Sequence, residues 1–535
     1  MRRRVTFIRD HNTNFSPDEL QISDERVSFA GLNAAREERL TLGLGELPEE
    51  LQQVLRHAHE VHIRWASEYV YEARAPYSSR ISPGLHVFYT PLDGHSEDLV
   101  CSFLRKVFSN TLKCHSPAKT FIRPPLVSER FAATSATQYH SLLPSLSNLV
   151  AYIQRHVCAR SDVTCTHTAS LLNIAESLDI DYDSISHTLM VNAFWSRPPA
   201  ILYDPVGEWT TYDAWNLDAQ RKSQNDRVEV GILESLPADD EHDVKLSGHL
   251  TVVGEDDRPK PTLFNFPSRH HALPSKQLQV QAFTVSIHQP QGLHPSMEIL
   301  FPNSMRLQPP ENRPNGSQCA LQAYLILPSY IFADEYAFNS GDPLFAESHN
   351  IRATRAIAGE NDLEAPDYLV DRWGSILLLE LATPTHATNT TLTSNMPWKV
   401  DIPLHLRYLA PNHEGVSPVD LPWPVVYWAC TAEEGTKFPV NPFDRVNIGY
   451  DGLYGPRTMF YHLQPKPVSS ERIVERLVVP AYATDTTSAN TIQFGTLLVI
   501  LAGFLWVTVR LLPGLKVEIS ESLASSPVSA RRKKQ

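Results

Sequence analysis

The chain has 535 residues, with 47 Lys and Arg against 60 Asp and Glu and a net charge of −13 at pH 7. An acidic balance of that size excludes a nucleic-acid-binding role, which needs a basic face. A hydrophobic share of 42% excludes a disordered chain, and 41 prolines against 22 glycines suit many short strands joined by turns better than a helical bundle.

From Met1 the chain reads as an α+β region. The opening MRRRVTFIRD is basic and no apolar run follows it, so no cleavable signal peptide is expected. Val5–Ile8 starts a strand. Pro48 opens a helix with Leu51, Val54, Leu55 and Ala58 on one face. Val61–Trp65 alternates as a strand, and Ile81–Pro91 is a turn followed by another. Ser96 caps a helix through Val107 whose buried stripe is Leu99, Val100, Phe103 and Leu104. Leu146, Leu149, Val150, Ile153 and Val157 mark a third helix, and all three read as scaffold.

Two acid-rich stretches, Ala238–Asp243 and Gly254–Lys260, flank a strand signal at Lys245–Val253 and read as a solvated linker. From His270 the period becomes two. Phe283, Val285 and Ile287 share a face, as do Leu321, Ala323, Leu325 and Leu327. Val400, Ile402, Leu404, Leu406 and Tyr408 extend one long alternation, in which Pro403 demands an edge or a bulge. Strand signals recur to Cys430, the pattern of an antiparallel β-sandwich with one wet face.

Ile492–Val509, IQFGTLLVILAGFLWVTV, holds no charge, and with Leu511 and Leu512 it reaches the roughly 20 residues that a bilayer-crossing helix needs. Arg510, Lys516 and Arg531–Lys534 follow it, whereas Leu477–Thr491 before it holds one acid, Asp485, and no base. The positive-inside rule places the tail in the cytosol and the bulk of the chain in a secretory lumen. Lys533 reads equally as part of a dilysine-type retrieval signal or as topology charge. The expected fold is mainly β with some α. Residues 1–235 form a luminal α+β region, 236–269 an acidic linker and 270–470 the sandwich. Residues 471–491 form a juxtamembrane segment, 492–512 the transmembrane helix and 513–535 a basic cytosolic tail.

Motifs for chemistry are absent: there is no G-x-S-x-G elbow, P-loop, H-E-x-x-H or G-x-G-x-x-G. Asp179, Asp181 and Asp183 have a spacing that suits a divalent metal in a nucleotide-sugar transferase, but an acidic loop at a helix end gives the same pattern and is preferred. His270, His271, His288 and His294 lack a spacing that aims imidazoles at one point, and read as surface or turn residues. No catalytic, cofactor-binding or metal residue is assigned. Asn14, Asn315 and Asn389 head sequons and are glycosylation candidates. The six cysteines, Cys101, Cys114, Cys158, Cys165, Cys319 and Cys430, form no C-x-x-C pair. Their even number permits disulfides in an oxidising lumen, Cys158–Cys165 being the easiest loop to close, with free buried thiols as the equal alternative.

Gly292-Leu293-His294-Pro295, YLILPSYIFADEYAF (Tyr324–Phe338), DLEAPDY (Asp362–Tyr368), PLHLRY with Ala410-Pro411, and VVYWAC ending at Cys430 occur in that order. The series resembles the PIG-X family. HIRWAS (His62–Ser67), ISPGLHVFYTP and NAFW (Asn192–Trp195) are similar to the added N-terminal region of its fungal type. The resemblance implies an accessory subunit of glycosylphosphatidylinositol (GPI) mannosyltransferase I in the endoplasmic reticulum membrane. Its implied partner is a multi-pass catalytic subunit, which the accessory chain stabilises. For the fungal type it also implies a chaperone-like role linked to processing of a vacuolar protease zymogen. No catalytic residue comes with it. The alternative expectation is an independent luminal chaperone or glycan-binding module acting on several secretory clients.

Overall fold

A computed structural model describes residues 1–10, 15–92, 97–125, 136–159, 161–199, 202–203, 209–210, 214–238, 243–288, 292–384, 396–431, 449–468, 470–483 and 486–524. It is mainly β. Two compact units divide it, Met1–Tyr408 with Val419–Leu477, and Leu409–Pro418 with Val478–Gln535.

The first unit grows from its opening strand. In Arg2–Arg9 the apolar residues Val5 and Phe7 are fully buried. The strand pairs antiparallel with Ala35–Gly43 and parallel with Arg227–Leu236, which brings distant segments together at once. Around it lies a ten-stranded sheet in the order Lys260–Pro267, Asp243–Val252, Arg227–Leu236, Arg2–Arg9, Ala35–Gly43, Thr188–Trp195, Ser177–Asp183, Ala58–Ala66, Gly84–Pro91, Thr137–Ser141. The helices α1 (Glu49–Arg56), α2 (Glu97–Val107), α3 (Pro117–Thr120), α4 (Ser147–His156) and α5 (Val163–Ser170) follow in chain order. Val54 and Leu55 of α1, Val100 and Leu104 of α2, and Leu149 and Val150 of α4 join Val61, Ile63, Leu178 and Leu189 of the strands in one core. The expected stripe on α2 is narrower than its spacing suggests, because Leu99 is 39% exposed.

The segment 236–269 is not a linker. Its strands Asp243–Val252 and Lys260–Pro267 form an antiparallel hairpin on one side of the ten-stranded sheet, and Gly254–Lys260 spans the turn between them. Glu255, Asp256 and Asp257 lie in that turn while Leu246 of the strand is fully buried. Gly248 allows the close approach of this hairpin, since a Cβ there would meet the Ile232 carbonyl oxygen at 2.0 Å.

The second half holds two further sheets. Six strands run in the order His270–His271, Thr458–His462, Val425–Thr431, Cys319–Pro328, Gly374–Leu381, Ile351–Gly359. Four run in the order Trp398–Pro403, Ser296–Phe301, Ala282–His288, Gln464–Pro465. Pro403 ends an edge strand of the second sheet, where its missing N–H costs no ladder bond. The expected long alternation from Val400 to Tyr408 breaks there, and His405–Leu406 pairs instead with Ile331–Phe332. The six-stranded sheet lacks the expected wet face at its centre, since all eight residues of Gly374–Leu381 are buried. The reason is that Tyr324, Ile326, Ile376, Leu378, Val425 and Tyr427 enter the same core as the N-terminal strands and helices. Between the two, Trp373 Nε1 donates to the Gln138 carbonyl at 2.7 Å, and Gln138 Nε2 donates to the Tyr324 hydroxyl at 3.2 Å.

In the second unit, Leu409 and Asn412 pair in parallel with Ala481 and Ala483. A helix follows over Thr486–Ala524. Its Asn490–Leu511 portion, 22 residues of mean hydropathy 2.1 with none buried inside the protein, is long and apolar enough to cross a membrane. Thr508 satisfies its hydroxyl within the helix by donating to the Phe504 carbonyl at 2.7 Å.

Candidate functional site

The three aspartates lie on the strand Ser177–Asp183, not in a loop at a helix end. Alternation puts them on one face, where cations or turn amides meet each of them. Arg64 Nε donates to Asp179 at 2.6 Å, and His62 Nδ1 stands 2.9 Å from an Asp181 oxygen. Asp183 accepts from the Ile185 amide at 2.8 Å, closing the turn. Burial works against the His62 imidazolium, but Asp181 and Glu60 outweigh it and lift the group to about 9. Asp179 and Asp181 thus form cross-strand ion pairs, and Asp183 serves the turn. Among the described residues no group of three or more His, Cys, Asp or Glu is placed to hold a metal ion.

Two of the four singled-out histidines are core residues, contrary to their surface reading. His270 is 1% exposed, with Nε2 3.2 Å from Asp451, and His271 is stacked on Tyr461 at 5.3 Å. Tyr450 and His462 extend this group through a 2.9 Å contact. The parallel pairing of His270–His271 with Phe460–Tyr461 places it, and neighbours in sequence gave no sign of that. His288 is exposed. His294 packs edge-on against His405 at 4.8 Å.

All six cysteines are paired, as Cys101–Cys114, Cys158–Cys165 and Cys319–Cys430. The last joins directly opposed residues of adjacent strands. Asn315 sits exposed in a turn, while Asn14 and Asn389 lie outside the described residues.

The motif series converges on one arginine. Leu406 and Leu404 donate their amides to Leu293 and Pro295 at 2.8 and 2.9 Å, and the Arg407 amide donates to the Tyr330 carbonyl at 2.9 Å. The Arg407 side chain, 2% exposed, reaches under the 360–367 loop. Its guanidinium donates to the carbonyls of Asp362, Ala365 (2.8 Å) and Glu360 (3.4 Å) and lies 4.1 Å over the Phe332 ring. Burial pulls its pKa down from the usual arginine range. The same loop is tied at its far end, where the Asp367 amide donates to the Tyr408 carbonyl at 3.0 Å and Ser329 donates to the Asp367 carboxylate at 2.5 Å.

The loop so fixed turns apolar side chains outward: Leu363, Tyr368, Leu369 and Tyr408 are 47 to 72% exposed. Scattered exposed leucines need no explanation, whereas here two leucines and two tyrosines are exposed on and beside backbone held by a buried cation. Beside these side chains the loop also exposes the carboxylates of Asp362 and Glu364. Sequence reasoning found the segments but missed Arg407 as their organiser, because a lone arginine in an alternating strand reads as its solvent face.

A PIG-X / PBN1 family profile matches residues 290–512, which includes all of these segments. "Protein pbn1" of Aspergillus oryzae is 46% identical over 96% of both chains, and that of Emericella nidulans is 47% identical over 96% of this chain and 95% of its own. "Protein PBN1" of Saccharomyces cerevisiae is 27% identical over 53% of this chain and 58% of its own. With an N-terminal region shared at this identity and the profile covering the motif cluster, the chain belongs to the PIG-X/PBN1 family, components of GPI-anchor biosynthesis.

Proposed function

We propose that the chain is a non-catalytic accessory subunit that stabilises the multi-pass catalytic subunit of GPI mannosyltransferase I, the enzyme that adds the first mannose to the GPI precursor. The observation that carries this reading is the surface around Arg407. Four separated segments are tied together through Arg407 into a platform that offers aromatic and aliphatic side chains to a partner. The 492–512 helix anchors the chain in the endoplasmic reticulum membrane, with its bulk in the lumen and a basic tail in the cytosol. Three disulfides suit that oxidising side, and the exposed turn at Asn315 suits glycosylation. The two sheets of residues 270–470 are read as a β-sandwich that carries the platform, and a chaperone-like action on secretory clients would use the same surface.

Co-purification in mild detergent tests the reading. The wild-type chain brings down the mannosyltransferase subunit. Tyr368→Asp combined with Leu369→Asp releases it while leaving the melting temperature of the chain unchanged. A wild-type complex without that subunit contradicts the function, and full retention by the double variant contradicts the surface.

A further inference from the structure

Between the ten-stranded sheet and its helices lies a cavity of about 290 Å³. Leu42 and Val191 of the sheet face Val54 of α1, Phe103 of α2 and Ile153 of α4 across it. Leu42, Val191, Phe103 and Ile153 remain only partly buried although they lie between two packed layers. Protein interiors close such gaps to voids scarcely larger than a water molecule, because unmet dispersion contacts destabilise the lining. Water fills its interior poorly, since it needs two to four polar partners and the walls are mainly leucine, valine, isoleucine and phenylalanine, with the charged members of the lining, Arg3, Glu38, Glu46 and Lys222, already paired.

Size and rim narrow the occupant. An engineered apolar cavity of about 150 Å³ takes up benzene, so 290 Å³ accommodates roughly a dozen carbon atoms. The exposed members of the lining, Glu46, Val157, Thr164, Gln220 and Lys222, mark the mouth. Cations there are matched by acids: the Met1 amino group by Glu46 at 2.8 Å, Arg3 by Glu38 at 2.7 Å, and Lys222 by Asp162. An apolar interior with a charge-balanced rim fits a hydrocarbon chain carrying an uncharged or zwitterionic head. The chain's own apolar helix keeps the protein where such molecules are abundant.

We propose that this cavity binds one acyl chain of a membrane lipid. The proposal stands apart from the mannosyltransferase reading, since the cavity shares no lining residue with the surface around Arg407 and needs no partner. The full chain is reconstituted in phosphatidylcholine nanodiscs with a trace of phosphatidylcholine bearing a diazirine on its acyl chain, irradiated, and mapped by peptide mass spectrometry. Labelling is expected on peptides of α1, α2 and α4 as well as on the 490–511 helix. Leu42→Trp fills the cavity and lowers the first set at least tenfold while the helix label, an internal reference, stays constant. Labelling of the wild type confined to the 490–511 helix overturns the proposal, and this result needs no variant. So does α1, α2 and α4 labelling that persists in Leu42→Trp, or in Phe103→Trp from the opposite wall should the first variant fail to fold.

Discussion

Replacing Arg407 with methionine isolates what the buried guanidinium does. Methionine keeps the apolar stem, while the guanidinium is lost with its donors and its contact over the Phe332 ring. Two close bonds, to the carbonyls of Asp362 and Ala365, disappear, and the long one to Glu360 goes with them. Hydrogen bonds to a charged donor contribute about 1.5–3 kcal/mol each, and the relief of burying a cation returns part of that, leaving a net loss of about 3 kcal/mol. For a unit of this size, with an unfolding entropy of about 2 cal/mol/K per residue, that moves Tm by only about 3 °C. The local effect is far larger. At about 1.4 kcal/mol per tenfold, opening of the loop rises about a hundredfold. Hydrogen exchange on the full chain should therefore show the amides of Asp367 and Val370, which now donate to Tyr408 and Asp367, exchanging about a hundred times faster. Unchanged exchange in 360–370 would refute the idea that Arg407 holds the platform.

Two histidines set a pH window. His62, lifted to about 9, adds about 3 kcal/mol that is fully present below pH 6.5 and is lost as pH rises through 9. Burial pushes His86 down to about 4, so its neutral form adds a similar amount above pH 6.5 that is lost as pH falls toward 4. Denaturation midpoints across pH 4–9 should peak near neutrality. His62→Gln should flatten only the alkaline limb, and an alkaline limb unchanged in that variant contradicts the assignment. Non-reducing peptide mapping should recover three linked pairs, including Cys158–Cys165, and a free thiol at any of the six counts against them. Removing Cys319–Cys430, which closes the longest loop with a sequence separation of 111, should cost about 4–5 kcal/mol on chain-entropy grounds. Asp183→Ala should leave first-mannose transfer unchanged, whereas its loss would revive a transferase role for the acidic run.

Local signals were legible and long-range ones were not. Apolar spacing in 51–55 and 147–153 gave α1 and α4, and the uncharged run at 492–509 gave the apolar helix. The hairpin in 236–269 is hidden because its acids outnumber its bases, although Glu255, Asp256 and Asp257 lie in the turn and Leu246 is buried. Burial of the six-stranded sheet on both faces depends on the N-terminal core meeting Tyr324 and Tyr427, a contact over hundreds of residues with no local mark. The burial of His270 and of Arg407 is hidden for the same reason. Each owes its place to segments distant in sequence, Asp451 for one and the 360–367 loop for the other.

The central claim is that the chain supports its partner without performing chemistry. Depleting it in cells while following both the amount of the catalytic subunit and the first mannose transferred per remaining catalytic molecule tests that claim directly. The account predicts that the catalytic subunit disappears and that transfer falls in proportion, so transfer per molecule stays constant. A catalytic subunit at its normal level with transfer abolished would contradict it.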